Sequence, residues 1–150
     1  MELYIFSVWV HLLAAMLWLG GMLFLIFVLV PALRGESGEL RGRLVDTVGL
    51  RFRTVGWICL LLLLLTGSAN ILLRGYSLTG TLLIAKLALF GVILVLSFIH
   101  DFVIGPRATR AMASGSEDAE KLRRLSAIIG RINTLLALAV VALAIKLVRG

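Results

Sequence analysis

Two histidines and a few polar side chains interrupt long apolar runs, and through them this chain could do chemistry. His11 stands in a run, Leu3 to Leu33, that holds no Asp, Glu, Lys or Arg. Asn70 lies near the end of a second run, Lys86 inside a third that closes on His100-Asp101, and Arg131 and Asn133 inside a fourth. Imidazole binds haem iron or copper and also moves protons. Copper(I) takes thioether, thiolate and imidazole ligands. Beside His11 and His100 the chain offers Met16, Met22, Cys59 and Met112, but no CxxC, no Met-x-x-Met and no histidine cluster. Spacing alone therefore gives a weak metal signal, with His11, Met22 and His100 as the candidate ligands. Trp18 and Met22 follow His11 at seven and eleven residues, on the same helix face.

The elements that must position these residues are membrane helices. Of 150 residues 61% are hydrophobic, and the mean hydropathy of +1.08 is far above that of a soluble domain. A helix of about 20 apolar residues crosses the hydrocarbon. Four runs meet that length, at about 5–33, 54–74, 81–104 and 125–147. The expected fold is all-α: a polytopic membrane protein, an antiparallel four-helix transmembrane bundle forming a single domain over residues 1–150. The start, Met1-Glu2, and the length of the first run do not suit a signal peptide.

Between the spans, Pro31 suits a helix terminus and Gly105-Pro106 is expected to stop the third helix. Glu39 to Arg53 reads as a short amphipathic helix at the membrane surface, with Leu40, Leu44, Val48 and Phe52 on one face. Arg74-Gly75 and the polar residues up to Thr81 make a tight turn, and Ser116 to Glu120 a helix start with acids at its positive end.

The net charge is +7, and its distribution writes a topology. Arg34, Arg41, Arg43, Arg51, Arg53, Arg107, Arg110, Lys121, Arg123 and Arg124 share the side of the two long loops. Only Arg74, Lys146 and Arg149 fall on the other. The positive-inside rule places the long loops in the cytoplasm and both termini outside a cell inner (plasma) membrane. Nucleic acid is excluded as a partner, since no basic face or binding motif carries it. The partners expected are the lipid bilayer and either a second copy or another membrane subunit. The lone Cys59 cannot form an internal disulfide. No phosphate-binding loop is present, which argues against ATP-driven pumping by this chain.

This topology puts His11, Asn70 and Lys86 in an outer polar layer, and His100, Asp101 and Arg131 in an inner one. Charged groups at membrane depth are costly and usually face the protein interior. Each also has a plainer role. His11 can be a hydrogen-bonded packing residue, Lys86 can snorkel to the interface, and Asn70 can bridge helices. His11 and His100 differ in depth by at least about 15 Å, so they cannot be the two axial ligands of one haem in one chain.

Three stretches carry a resemblance. HLLAAMLWLGGMLFLIFVLVPALR (11–34), RFRTVGWICLLLLLLTGSANILLRG (51–75) and GTLLIAKLALFGVILVLSFIHDFVIGPR (80–107) are similar, in order, to three spans of the copper-resistance D (CopD) membrane domain. The second has the Thr66-Gly67 and Asn70 pattern, and the third has Lys86 and a closing Gly-Pro-Arg. That family often ends its third span on Asn-Arg where this chain has His100-Asp101. The resemblance implies a membrane protein of copper handling or transport, with His11 at an outer site. More distantly, His11 with Trp18 and Gly20, Lys86, and Arg131-x-Asn133 resemble the haem-containing bacterial protoporphyrinogen oxidases. That likeness implies haem b on His11, with Lys86 at the porphyrin. A cofactor-free accessory subunit is the third expectation, and no reaction is assigned.

Overall fold

A computed structural model of the chain describes residues 1–75 and 79–149. Among them there is no strand, and four helical segments are long and apolar enough to cross a membrane: Glu2–Gly35, Gly38–Arg74, Thr81–Ala113 and Ala119–Val148. Only 17–22% of the most apolar stretch of each segment is buried inside the protein. Apolar side chains such as Phe6, Trp9, Phe27 and Leu72 point outward, which is the surface a lipid-solvated protein presents. The protein is all-α and polytopic, as its composition predicts.

The chain divides into two compact units, Met1–Ser77 and Leu78–Gly150. In the first, α1 (Glu2–Phe24) lies antiparallel to α2 (Gly38–Arg74). Tyr4 meets Arg74, His11 meets Thr66 and Gly67, Trp18 meets Gly56, and Gly21 meets Phe52. Residues 7, 11, 14, 18 and 22 form the α1 seam, with Ser7, Ala14, Trp18 and Met22 buried. The α2 side is built on Gly56, Cys59, Leu60 and Leu63. Lipid gives helices no hydrophobic reason to associate, so close van der Waals fit and interhelical hydrogen bonds must do it. Small residues opposite large ones supply that fit here: Gly56 receives the Trp18 indole, and Gly21 the Phe52 ring. Ser37 caps the start of α2, and Gly75, at φ 65°, ends it with its N–H on the Ile71 carbonyl. The rest of the expected tight turn, at positions 76–78, lies outside the described residues.

In the second unit, α3 (Thr81–Phe98) runs antiparallel to α5 (Ala119–Arg149). Ser97 faces Asn133, and His100 faces Ser126. The buried positions Leu83, Ile93, Ser97, Ile104 and Ala108 define the seam of the first helical arm of this hairpin. Ser116 bonds the Asp118 N–H just before α5 begins, as the acid-rich helix start predicts.

Three expectations are corrected. Glu39 to Arg53 is not a separate surface helix: it is the first half of α2, which continues unbroken to Arg74. No breaker stands between Arg53 and Thr54, so the helix propagates from water into lipid. Neither proline ends its helix. Beyond Pro31 the chain stays helical to Gly35, and beyond Pro106 it continues as α4 (Gly105–Ala113). Proline lacks an N–H and its ring crowds the carbonyl four residues back. Here both helices widen ahead of it into π segments, Leu25–Leu29 and Ile99–Ile104. In each, the residue before proline bonds five back, Val30 to the Leu25 carbonyl and Gly105 to the His100 carbonyl. The wider turn absorbs the ring without breaking the rod.

Candidate functional site

His11 is the centre of the first unit's polar seam. Its Nδ1 is 2.8 Å from Thr66 Oγ1. The Thr66 hydroxyl donates to the Leu62 carbonyl one turn back, so its single proton is spent and its oxygen accepts. The proton in the His11 contact therefore sits on Nδ1, and in the neutral ring Nε2 carries the lone pair. The ring lies over Gly67, where an added Cβ would stand 3.4 Å from Cε1. Ser7, one turn before His11, reaches the Thr66 carbonyl at 3.4 Å. Asn70, one turn beyond Thr66, has a buried Oδ1 with no hydrogen-bond partner among the described residues.

This is the arrangement a ligating imidazole needs. One ring nitrogen is held by a partner that sets tautomer and orientation, and the other keeps a basic lone pair. The buried Asn70 oxygen adds an acceptor that a cation or donor would satisfy. Cys59 is buried about two turns from Thr66 on α2. Met22 is buried eleven residues along α1 from His11, about 16 Å by helix rise. Among the described residues no three His, Cys, Asp or Glu side chains gather to hold a metal ion. A metal at His11 would draw on imidazole nitrogen and amide or hydroxyl oxygens, a set suited to copper(II) or another borderline ion.

The second unit holds the other candidates. His100 sits in the π segment with Nδ1 2.7 Å from Asp101 Oδ1 and Nε2 3.0 Å from Ser126 Oγ on α5. Arg131 lies on an exposed face of α5. The cross-helix group placed on His100 is thus Ser126. Asn133 is buried and donates through Nδ2 to Ser97 Oγ at 2.7 Å, with its Oδ1 unpaired among the described residues. Thr134 beside it donates to the Gly130 carbonyl. Lys86 is half-buried on the α3 seam, between Leu83 and Ile93. Trp18 is buried against Gly56, where it packs the hairpin.

Sequence reasoning reached His11 and Asn70 but missed Ser7, Ser97 and Ser126 as partners. Spacing gives only a partial signal: Ser7 lies four residues before His11, and Ser126 seven before Asn133, each on the same helix face as that residue, but neither spacing says which ring the hydroxyl meets.

With this geometry in hand, comparison with known proteins places the chain. The family model described as "Copper resistance protein D" (CopD) matches residues 46–147. The chain belongs to the CopD family of membrane proteins. A protein of Aquifex aeolicus (strain VF5), described as "Uncharacterized protein", is 31% identical over 147 residues, covering 97% of this chain and 94% of the relative. No solved structure matches. The more distant likeness to haem-containing oxidases gains no support from these comparisons. Thr66 and Gly67, which touch the His11 ring, and Asn70, one turn further along α2, fall inside the matched family region.

Proposed function

We propose that this CopD-family protein handles copper at the membrane, taking the ion as substrate on His11 Nε2. The observation that carries the reading is the His11–Thr66–Leu62 relay, which consumes the Thr66 proton and fixes the ring with Nε2 basic. The buried Asn70 oxygen supports it by supplying a second acceptor near the same end of the hairpin. In the orientation that the loop charges favour, this seam lies in the outer half of the bilayer. The ion is then received from outside the cytoplasm.

Metal analysis and an absorption spectrum of the detergent-purified protein test the reading together. Copper near one per chain, lost in His11→Ala, is the expected result. A Soret band with stoichiometric iron would replace copper with haem b on the same histidine. If neither metal binds, even after reconstitution, the reading is wrong and the chain is an accessory subunit.

A further inference from the structure

The His100 cluster belongs to the second unit, and its three side chains stand in a different order of partners from those of His11 in the first. We propose that Ser126 is an activated nucleophile, with His100 as its base and Asp101 as the orienting carboxylate, acting on carboxylic esters at the membrane boundary. The Asp101 carboxylate can only accept, so the 2.7 Å contact places the ring proton on His100 Nδ1. Nε2 then holds the lone pair, and at 3.0 Å it is the acceptor for the Ser126 O–H. Hydroxyl to Nε2 and Nδ1–H to carboxylate is the arrangement by which a serine is deprotonated as it attacks.

Two further observations separate this serine from an ordinary helical one. Hydroxyls inside helices usually bond the carbonyl four residues back. Thr54, Thr66 and Thr134 all do so here. Ser126 instead crosses to the other helix of its hairpin and meets His100. The π segment also fixes the base. The His100 carbonyl accepts the Gly105 N–H, and an added Cβ at Gly105 would stand 3.1 Å from that oxygen, so glycine keeps the turn closed. The His100 side chain is 34% exposed and Asp101 19%, which leaves the base reachable while its orienting partner is more sheltered.

Position points to the substrate class. Ser126 is the second residue of the fourth apolar run, where hydrocarbon gives way to the charged loop. Ester carbonyls of acyl amphiphiles lie at that depth. In the first step the Ser126 O–H bond breaks, its proton passes to His100 Nε2, and an Oγ–C bond forms at the carbonyl carbon. The ester C–O bond then breaks, and the alcohol leaves with the proton from His100. Water repeats the sequence on the acyl-serine, releasing the carboxylic acid and restoring the hydroxyl.

The test is fluorophosphonate labelling of the full-length protein in detergent, with the adduct mapped by mass spectrometry. Ser114 and Ser116 are exposed and serve as internal controls for accessibility without activation. The expected adduct is on Ser126, well above both controls, and absent in Ser126→Ala. General-base assistance is worth about a hundredfold or more, so His100→Gln should slow labelling by that order with copper binding unchanged. Hydrolysis of a fluorogenic phospholipid in vesicles, against a short soluble nitrophenyl ester, then identifies the source of the ester. Ser126 labelled no more than Ser114 and Ser116 in the wild type, or labelled equally in His100→Gln, overturns the proposal. The wild-type map decides this even if a variant fails to fold.

Discussion

Each hairpin carries one histidine on its seam, and the two are held by different chemistry. His11 gives its Nδ1 proton to a neutral hydroxyl already bonded to its own backbone. His100 gives its Nδ1 proton to a carboxylate and receives a hydroxyl at Nε2. The first arrangement leaves a neutral ligand, and the second a base with a proton donor in place. What an imidazole does is therefore set by the groups around it. The hairpins also share a device, a π segment ending two residues before a proline, with Pro31 following Leu29 and Pro106 following Ile104. Only in the second hairpin does that segment carry the histidine itself.

Removing each histidine in turn separates their two roles. His11→Ala is expected to abolish copper binding, while His100→Ala leaves it in place; equal loss in both variants would mean one shared function. Thr66→Val comes next. Removing the partner that orients a metal-bound histidine typically costs about 10–100-fold in affinity, so copper titration should show a loss in that range. Thr66→Ser, which keeps the hydroxyl, should restore most of it.

Smaller effects report on packing. A Cβ at Gly21 would overlap the Phe52 ring. Gly21→Ala should destabilise the first hairpin by about 1–3 kcal/mol, measured by unfolding in mixed micelles, and Phe52→Ala in the same chain should recover part of it. The Asn133–Ser97 bond is the corresponding link in the second hairpin. Interhelical hydrogen bonds in membranes average about 0.6 kcal/mol, so Asn133→Leu should cost little in the same assay. A loss comparable with Gly21→Ala would show that the polar link counts for as much as the fit of small residues.

The fold was largely legible, because four charge-free or nearly charge-free runs leave few alternatives in lipid. The helix ends were not. Pro31 and Pro106 look like breakers, but a helix with no water to satisfy its freed carbonyls does better to widen than to stop. Glu39 to Arg53 looks like a surface helix because its charges differ from the run that follows, yet no residue there interrupts backbone bonding. At the site, the histidines and Asn70 stood out as polar groups in apolar runs. Their partners did not, since Ser and Thr are common in membrane helices and only the register of two helices reveals which hydroxyl meets which ring. Thr66 was visible through the family pattern, and Ser126 through no local motif.

The most direct test of the central claim is the nitrogen NMR spectrum of His11 in the ¹⁵N-histidine-labelled protein, assigned with His100→Gln. The account predicts a protonated Nδ1 and an unprotonated Nε2 in the neutral ring, with the Nε2 signal broadened on adding copper(II) and the Thr66→Val variant losing the single tautomer. A protonated Nε2, or a His11 spectrum indifferent to copper, would contradict it.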